Sequence, residues 1–422
     1  MKKVIRRKLK NGIRILAVPR KESLTTTVGI LVGVGSEYET RKTNGLSHFL
    51  EHMCFKGTER RPRAMDISAE LDAMGAQYNA FTGYEYTSYY AKVQNKAFFR
   101  ALDIVSDLYL NPLLKEEDIE IERGVITEEI SMYEDMPHRK IQTLFMETLY
   151  GDQPAGWSIL GPKKNIKSFT REDFVSYRSR NYLPEATVVL VSGNVDVREA
   201  TRLVQAHFES LKPGKKMKKK KVRESQVRPV RNIQFKKLEQ THLMLGARAF
   251  GIRDERKYAL EVLASILGGG MSSRLFKKIR DELGAAYYIH ADADFLSDHG
   301  FLSVSCGAEN KKAETVIRAI LDEMKDLKER KVSQEEVKRA KEHLLGKLFM
   351  SAETSDALGY FYGFQEILGM DPASPREAAR KIRAVSAEDV QKVARQVFRD
   401  SRLNLAVIGP FNSRRFGAIL HV

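Results

Sequence analysis

The sequence follows one order of elements on both sides of the lysine-rich stretch Lys212–Arg223, and this repetition limits the fold more than any other feature. "TTTVGILVGVGSE" in the first half matches "QTHLMLGARAFG" in the second, each an apolar strand entering a turn and then a helix. "ELDAMGAQYNA" matches "IRDELGAAYYI", with Gly75 against Gly284. "SFTREDFVSYRSRNYLPEATVVLVSGNVD" matches "AVSAEDVQKVARQVFRDSRLNLAVIGPFN", with Gly193 against Gly409. This last pair shares a helix start: Thr170 with Asp173, and Ser386 with Asp389, are spaced as capping boxes with a shorter acid. A half of roughly 200 residues is a comfortable domain. The expected class is α+β, with two homologous α/β sandwich domains, each an antiparallel-rich sheet packed with helices. They span 1–211 and 228–422, and 212–227 is a basic linker.

Composition narrows the functional classes. Of the 422 residues 42% are apolar, with no apolar run near the length that crosses a bilayer. The start, "MKKVIRRKLKNGIRILAVP", has basic residues but no continuous apolar segment after them, and "IRILAV" reads as a strand rather than a leader. Two cysteines, Cys54 and Cys306, exclude a disulfide framework and suit a reducing compartment, so the expected location is the cytoplasm. Cys54 reads as a core thiol. The net charge of +16 suggests nucleic acid, yet Lys212–Arg223 holds eight basic residues and no acid, half of the excess. That segment is low in complexity and lacks interleaved aromatics, so it reads as a solvated linker. Neither a nucleic acid nor a membrane is an expected partner.

The chemistry sits in "NGLSHFLEHMCFKG", Asn44 to Gly57. On a helix with Asn44 as N-cap, Leu46, Phe49, Leu50 and Met53 form one apolar stripe, and His48, Glu51 and His52 fall together on the opposite side. Imidazoles at i and i+4 project side by side and can approach one Zn²⁺ at about 2.0–2.1 Å. Glu51 then flanks the metal as a candidate base. His-x-x-Glu-His is the inverse of the His-Glu-x-x-His zinc motif.

Two histidines leave such a site incomplete, because catalytic zinc sites carry three protein ligands. The best source of a third is "EDIEIERGVITEEISMYEDM", a predicted helix on which Glu122 and Glu129, seven apart, share a face while Glu128 points elsewhere. The second half supplies a control. Matching Gly57 to Gly270 sets His48 against Glu261, Glu51 against Ala264 and His52 against Ser265. Matching Ile119 to Val337 sets Ala340 and Lys347 against Glu122 and Glu129. The second copy keeps the framework and lacks the ligands. "LGGGMSSRLF" lacks the Gly-Lys-Ser/Thr ending of a phosphate loop and reads as a turn after a helix.

Along nearly its whole length the sequence resembles the pitrilysin/insulinase family of zinc peptidases, most closely the short-chain members related to mitochondrial processing peptidase. The resemblance is carried by "HFLEHM.FKGT" from His48, "ERGVITEEI" from Glu122, "LGGGMSSRLF" from Leu267 and "IRDELGAAYY" from Ile279. It implies one Zn²⁺ per chain, held by His48, His52 and Glu129, the last standing 77 residues after His52 (129 minus 52). It also implies Glu51 as general base, Glu122 in support behind the ligands, and Arg280 with Tyr287 gripping substrate and stabilising the intermediate. Tyr288 is the competing assignment for that tyrosine. "NAFTGYEYTSYY" resembles the family's substrate-lining strand, which makes Asn79 a substrate contact. The expected function is a zinc metalloendopeptidase that hydrolyses peptides or unfolded segments through a zinc-activated water. The alternative is a noncatalytic assembly or binding subunit of the same fold, and such relatives typically lack part of the metal motif that this chain retains. One chain corresponds to half of a clamshell, so the resemblance implies a symmetric homodimer with shared sites.

Overall fold

The computed structural model describes residues 4–422; Met1–Lys3, the first part of the basic start, lie outside the described residues. The chain forms two compact units. Unit one comprises the residues up to Ile130, Ser158–Lys220 and Met350–Ser374; unit two comprises Ser131–Trp157, Lys221–Phe349 and Pro375–Val422.

Unit one is built on six strands: β1 (Ile5–Lys8), β2 (Arg14–Pro19), β3 (Thr25–Val32), β4 (Gln77–Thr82), β5 (Thr87–Gln94) and β6 (Thr187–Gly193), in the order β1-β2-β6-β3-β5-β4. β2 pairs with β6 in parallel, and the other neighbours are antiparallel. Unit two holds β7 (Val230–Phe235), β8 (Gln240–Ala249), β9 (Ala286–Phe295), β10 (Gly300–Glu309) and β11 (Leu403–Gly409), in the order β7-β11-β8-β10-β9. Here β7–β11 is the parallel pair. Strand for strand the second sheet repeats β2-β6-β3-β5-β4, so the repeat in the sequence is a repeat of topology. Both expected capping boxes form, at Thr170/Asp173 and Ser386/Asp389. Gly75 and Gly284 sit at matching turns before the edge strands β4 and β9 with φ of 61° and 50°, a left-handed conformation that glycine adopts freely.

Both faces of the first sheet are apolar, as β3 illustrates. Val28, Ile30 and Val32 point into one core with Phe49 and Leu50 of α1 (Leu46–Met53). Leu31 turns to the other face and joins Leu16 and Leu190 beneath Leu358 and Tyr362 of the helix Ser355–Ile367. Burial on both sides explains the nearly continuous apolar runs of β3 and β6. Gly359 lets the covering helix approach, since a Cβ there would meet the Ser192 Cβ at 2.7 Å.

That covering helix comes from the second half of the sequence. The first half reciprocates. Following α2 (Ala64–Ala73), α3 (Phe98–Leu110) and α4 (Glu116–Asp135), helix α5 (Pro137–Tyr150) packs in unit two, with Phe145 edge-on to Phe301 at 5.8 Å between ring centroids. The spatial units therefore cross the linear division at 211 and 228, because the second apolar face of each sheet is covered by a helix from the other half.

The segment 212–227 is not solvated throughout, which corrects the linker reading. Lys215, Lys218, Lys220 and Lys221 are exposed. Lys219, however, is buried against Glu37 and Glu85, and Lys216 lies over the Tyr38 ring at 5.6 Å. Two acids buried in unit one attract the ammonium that reaches them, a pairing that composition does not reveal. Among the described residues no helix is long and apolar enough to cross a membrane.

Candidate metal centre

The site starts from α1. Its expected stripe of Leu46, Phe49, Leu50 and Met53 is at most 1% exposed, and each side chain contributes about 1.5–3 kcal/mol by leaving water. Asn44 is not the cap. Gly45, at φ 101°, starts the helix without a side-chain cap, and Glu39 supplies the missing acceptor. Glu39 Oε2 accepts from the Gly45 amide at 2.9 Å and Oε1 from the Ser47 amide at 2.7 Å. Asn44 donates to Glu39 Oε2 at 2.9 Å. A carboxylate satisfies two orphan amides at once and sits at the positive end of the helix dipole. Burial pushes Glu39 up to about 7 against those donors.

His48 and His52 stand one turn apart, with Nε2 atoms 3.2 Å from each other. α4 brings Glu129, whose Oε2 lies 3.5 Å from His48 Nε2 and 3.7 Å from His52 Nε2. Bonds of about 2.0–2.1 Å in a tetrahedron separate ligand atoms by about 3.3–3.4 Å. The three atoms thus outline one face of a zinc tetrahedron. Glu129 Oε2 is buried without a hydrogen-bond partner, as is His48 Nδ1. A buried, unpartnered carboxylate oxygen beside two imidazole nitrogens is an arrangement that a cation satisfies. The residues present fit Zn²⁺, and the three form a metal-capable cluster. Glu128 is exposed and outside it.

The surroundings prepare these atoms. His52 Nδ1 lies 2.8 Å from Glu122 Oε1. An ionised carboxylate only accepts, so Nδ1 carries the proton and Nε2 presents its lone pair to the triangle. Lys56 pairs with the other Glu122 oxygen. Burial raises the Glu122 carboxyl, but the hydrogen bonds from His52 and Lys56 prevail and hold it below its usual range. Burial, aided by the neighbouring His52, lowers His48 to about 3, so its imidazole is neutral near pH 7, as a ligand must be. Burial raises Glu129.

Glu51, 9% exposed, receives a hydrogen bond on Oε2 from the Thr82 hydroxyl at 2.5 Å. Burial pushes Glu51 up to about 6, opposed by Thr82 and His52. Thr82 ends β4, which is paired only with β5 and lies at the edge of its sheet. Asn79 is exposed on the same strand, its Oδ1 accepting from the Ala80 amide at 2.9 Å. Thr82 and Lys56 were not singled out from sequence, although Thr82 closes "NAFT" and Lys56 stands in the "FKGT" that follows the histidines.

Unit two holds the other named residues. Arg280, on the π-helix Phe276–Glu282, donates to the Tyr287 carbonyl at 2.8 Å. Tyr287 is 74% exposed. Tyr288 is half-buried, hydrogen-bonded to His242 at 3.0 Å and pushed up to about 12 by burial, which leaves Tyr287 as the accessible hydroxyl. In the place of α1 stands the helix Lys257–Gly268. Glu261, Ala264, Ser265 and Lys347, the counterparts of His48, Glu51, His52 and Glu129, line a cavity of about 200 Å³. Among the described residues none of them belongs to a metal-capable cluster.

Comparison with known proteins adds the family. Residues 14–163 match the insulinase family (peptidase family M16), and residues 168–344 match the peptidase M16 inactive domain. An uncharacterized zinc protease of Streptomyces coelicolor is 35% identical over 98% of this chain and 91% of its own length. The uncharacterized zinc protease YmxG of Bacillus subtilis is 33% identical over 95% of this chain and 97% of its own. The chain belongs to the insulinase family of peptidases. Among solved structures, a protease from Helicobacter pylori has the same fold, with a TM-score of 0.91 at 24% identity, covering 97% of this chain and 99% of that one. A peptidase M16 inactive domain from Pseudomonas fluorescens has it too, with a TM-score of 0.89 at 16% identity over 97% and 98% of the two chains.

Proposed function

We propose that this protein is a zinc-dependent metalloendopeptidase acting on peptides or unfolded segments, with His48, His52 and Glu129 as the ligands of one Zn²⁺ per chain. The observation that carries the reading is the triangle of 3.2, 3.5 and 3.7 Å formed by the two Nε2 atoms and Glu129 Oε2, with Glu51 one residue from His52. Zinc supplies, when bound, a water acidic enough to lose its proton near neutrality and a Lewis-acid contact for a carbonyl oxygen. Glu51 takes that proton and hands it to the departing amine. Thr82 occupies Glu51 Oε2, which leaves Oε1 for the proton. A carboxylate held through one oxygen by Thr82 and placed beside the ligands suits a base that must both accept and return a proton. Glu122 fixes the His52 tautomer. The edge strand β4 adds an extended peptide by backbone hydrogen bonds near Asn79, a mode that makes few demands on sequence.

Arg280 and Tyr287 lie in unit two, and the family resemblance supports a symmetric homodimer in which each zinc site is completed by these residues of the second copy. A reducing, cytoplasmic setting is consistent with the free, buried Cys54 and Cys306. The deciding experiment pairs metal analysis of the purified protein with cleavage of an unstructured peptide before and after chelation. About one zinc per chain with chelator-sensitive cleavage supports the reading. A zinc-loaded protein that cleaves nothing favours the noncatalytic binding subunit.

A further inference from the structure

The lysine-rich segment makes a contact that solubility does not require. Lys219 is 8% exposed at its side chain and pairs with Glu37 and with Glu85, whose side chains are 1% and 4% exposed; Nζ stands 2.7 Å from Glu85 Oε1. The three residues come from separate stretches. Glu37 lies in the 3₁₀ turn Ser36–Tyr38 that precedes α1, and Glu85 lies in the turn joining β4 to β5. The same two segments are also pinned by backbone bonds, from Ser36 to the Gly83 carbonyl at 3.1 Å and from Glu37 to the Tyr84 carbonyl at 2.8 Å. Two carboxylates brought together out of water repel and lose hydration, and an ammonium shared between them offsets both costs.

This turn begins where β4 ends, and β4 ends at Thr82, the residue that holds Glu51 Oε2. We infer that Lys219 is a positioning residue of the reaction: it clamps the β4–β5 turn onto the segment preceding α1 and so holds the Thr82 hydroxyl against Glu51. The inference rests on the peptidase reading for its effect on rate, but not for its effect on the turn. A rigid support for the base matters because a misplacement of about 1 Å at a reacting group can cost about 100-fold in rate.

The test compares Lys219→Met with Lys218→Met, which alters an exposed neighbour. In Lys219→Met, kcat falls about tenfold while KM and zinc content stay within about twofold, and Lys218→Met behaves as wild type. Amide exchange at Gly83–Tyr86, followed by mass spectrometry in metal-free protein, speeds up about tenfold in Lys219→Met. Thr82→Val combined with Lys219→Met is no slower than Thr82→Val alone, because the clamp acts through that hydroxyl. Should Lys219→Met not fold, the triple change Glu37→Gln, Glu85→Gln and Lys219→Met removes all three charges together, and it shows the same losses. Unchanged exchange at the turn, or losses that add in the double variant, overturn the inference. A wild-type protein that cleaves nothing overturns the peptidase reading instead, and the exchange measurement still decides the clamp.

Discussion

His52 Nδ1 and Glu122 Oε1 stand 2.8 Å apart, joining the helix of the paired histidines to the helix that brings Glu129. Lys56 holds the second Glu122 oxygen, so the carboxylate is fixed at both ends. Glu122→Ala frees the His52 ring to choose its tautomer. Zinc affinity should fall about 10- to 100-fold, measured by competition with a chromophoric chelator, while the fold persists by circular dichroism. Undiminished affinity would remove Glu122 from the support of the site.

The roles within the motif separate by metal content. Glu51→Gln keeps the ligands and loses the proton acceptor, so peptide cleavage should drop at least about 100-fold with zinc retained. His48→Ala, His52→Ala and Glu129→Gln should instead lose most of their zinc. If Glu129→Gln keeps its metal and Glu128→Gln does not, the choice between the adjacent glutamates is reversed.

Glu39 makes stability pH-dependent in a defined direction. Its folded pKa of about 7 lies above the ordinary value of 4.5. Between these values the folded state holds a proton that the unfolded chain releases, so the stability this group contributes is full below about 4.5 and is lost as pH rises through about 7. In metal-free protein, Glu39→Gln should remove that slope, apart from a constant offset. Between pH 5 and 8 the stability difference from wild type should change by at most about 3 kcal/mol, read by urea denaturation. Parallel curves for the two proteins would show that the amide donors keep Glu39 ionised throughout.

The exposed part of the basic segment should be dispensable for chemistry. Changing Lys215, Lys218, Lys220 and Lys221 to serine should weaken nonspecific binding to a polyanion such as heparin and leave turnover of a neutral peptide within about twofold, as expected of solvated charges. A tenfold loss would mean that these lysines also meet substrate.

A shared-site dimer makes a prediction that a single-chain site does not. Glu51→Gln and Tyr287→Phe proteins, each poorly active alone, are mixed and allowed to exchange subunits. In the mixed dimer one site collects both defects and the other neither, so activity should return toward about a quarter of wild type when half of the dimers are mixed. Mixed dimers that form without regaining activity would place Arg280 and Tyr287 in cis or outside the reaction.

Features encoded within a few residues were legible from sequence. The boxes at Thr170/Asp173 and Ser386/Asp389 form because a short side chain reaches an amide three residues away wherever the helix begins. The stripe Leu46, Phe49, Leu50 and Met53 follows from periodicity alone, and the correspondence of β3 with β8 is visible in the repeated sequence. Other features depended on chain segments distant in sequence. The helices Ser355–Ile367 and α5 cross between halves because the two sheets offer similar apolar faces, and an amphipathic pattern does not name which of them it will cover. Glu39 replaced Asn44 as the cap because the left-handed Gly45 leaves the first amides to a carboxylate folded back onto them. Thr82 meets Glu51 across 31 residues, and Lys219 meets Glu37 across 182. Periodicity reports which face of an element is buried, but hydrogen bonds and ion pairs of this kind exist only once packing has brought the elements together, so the tertiary structure alone decided them.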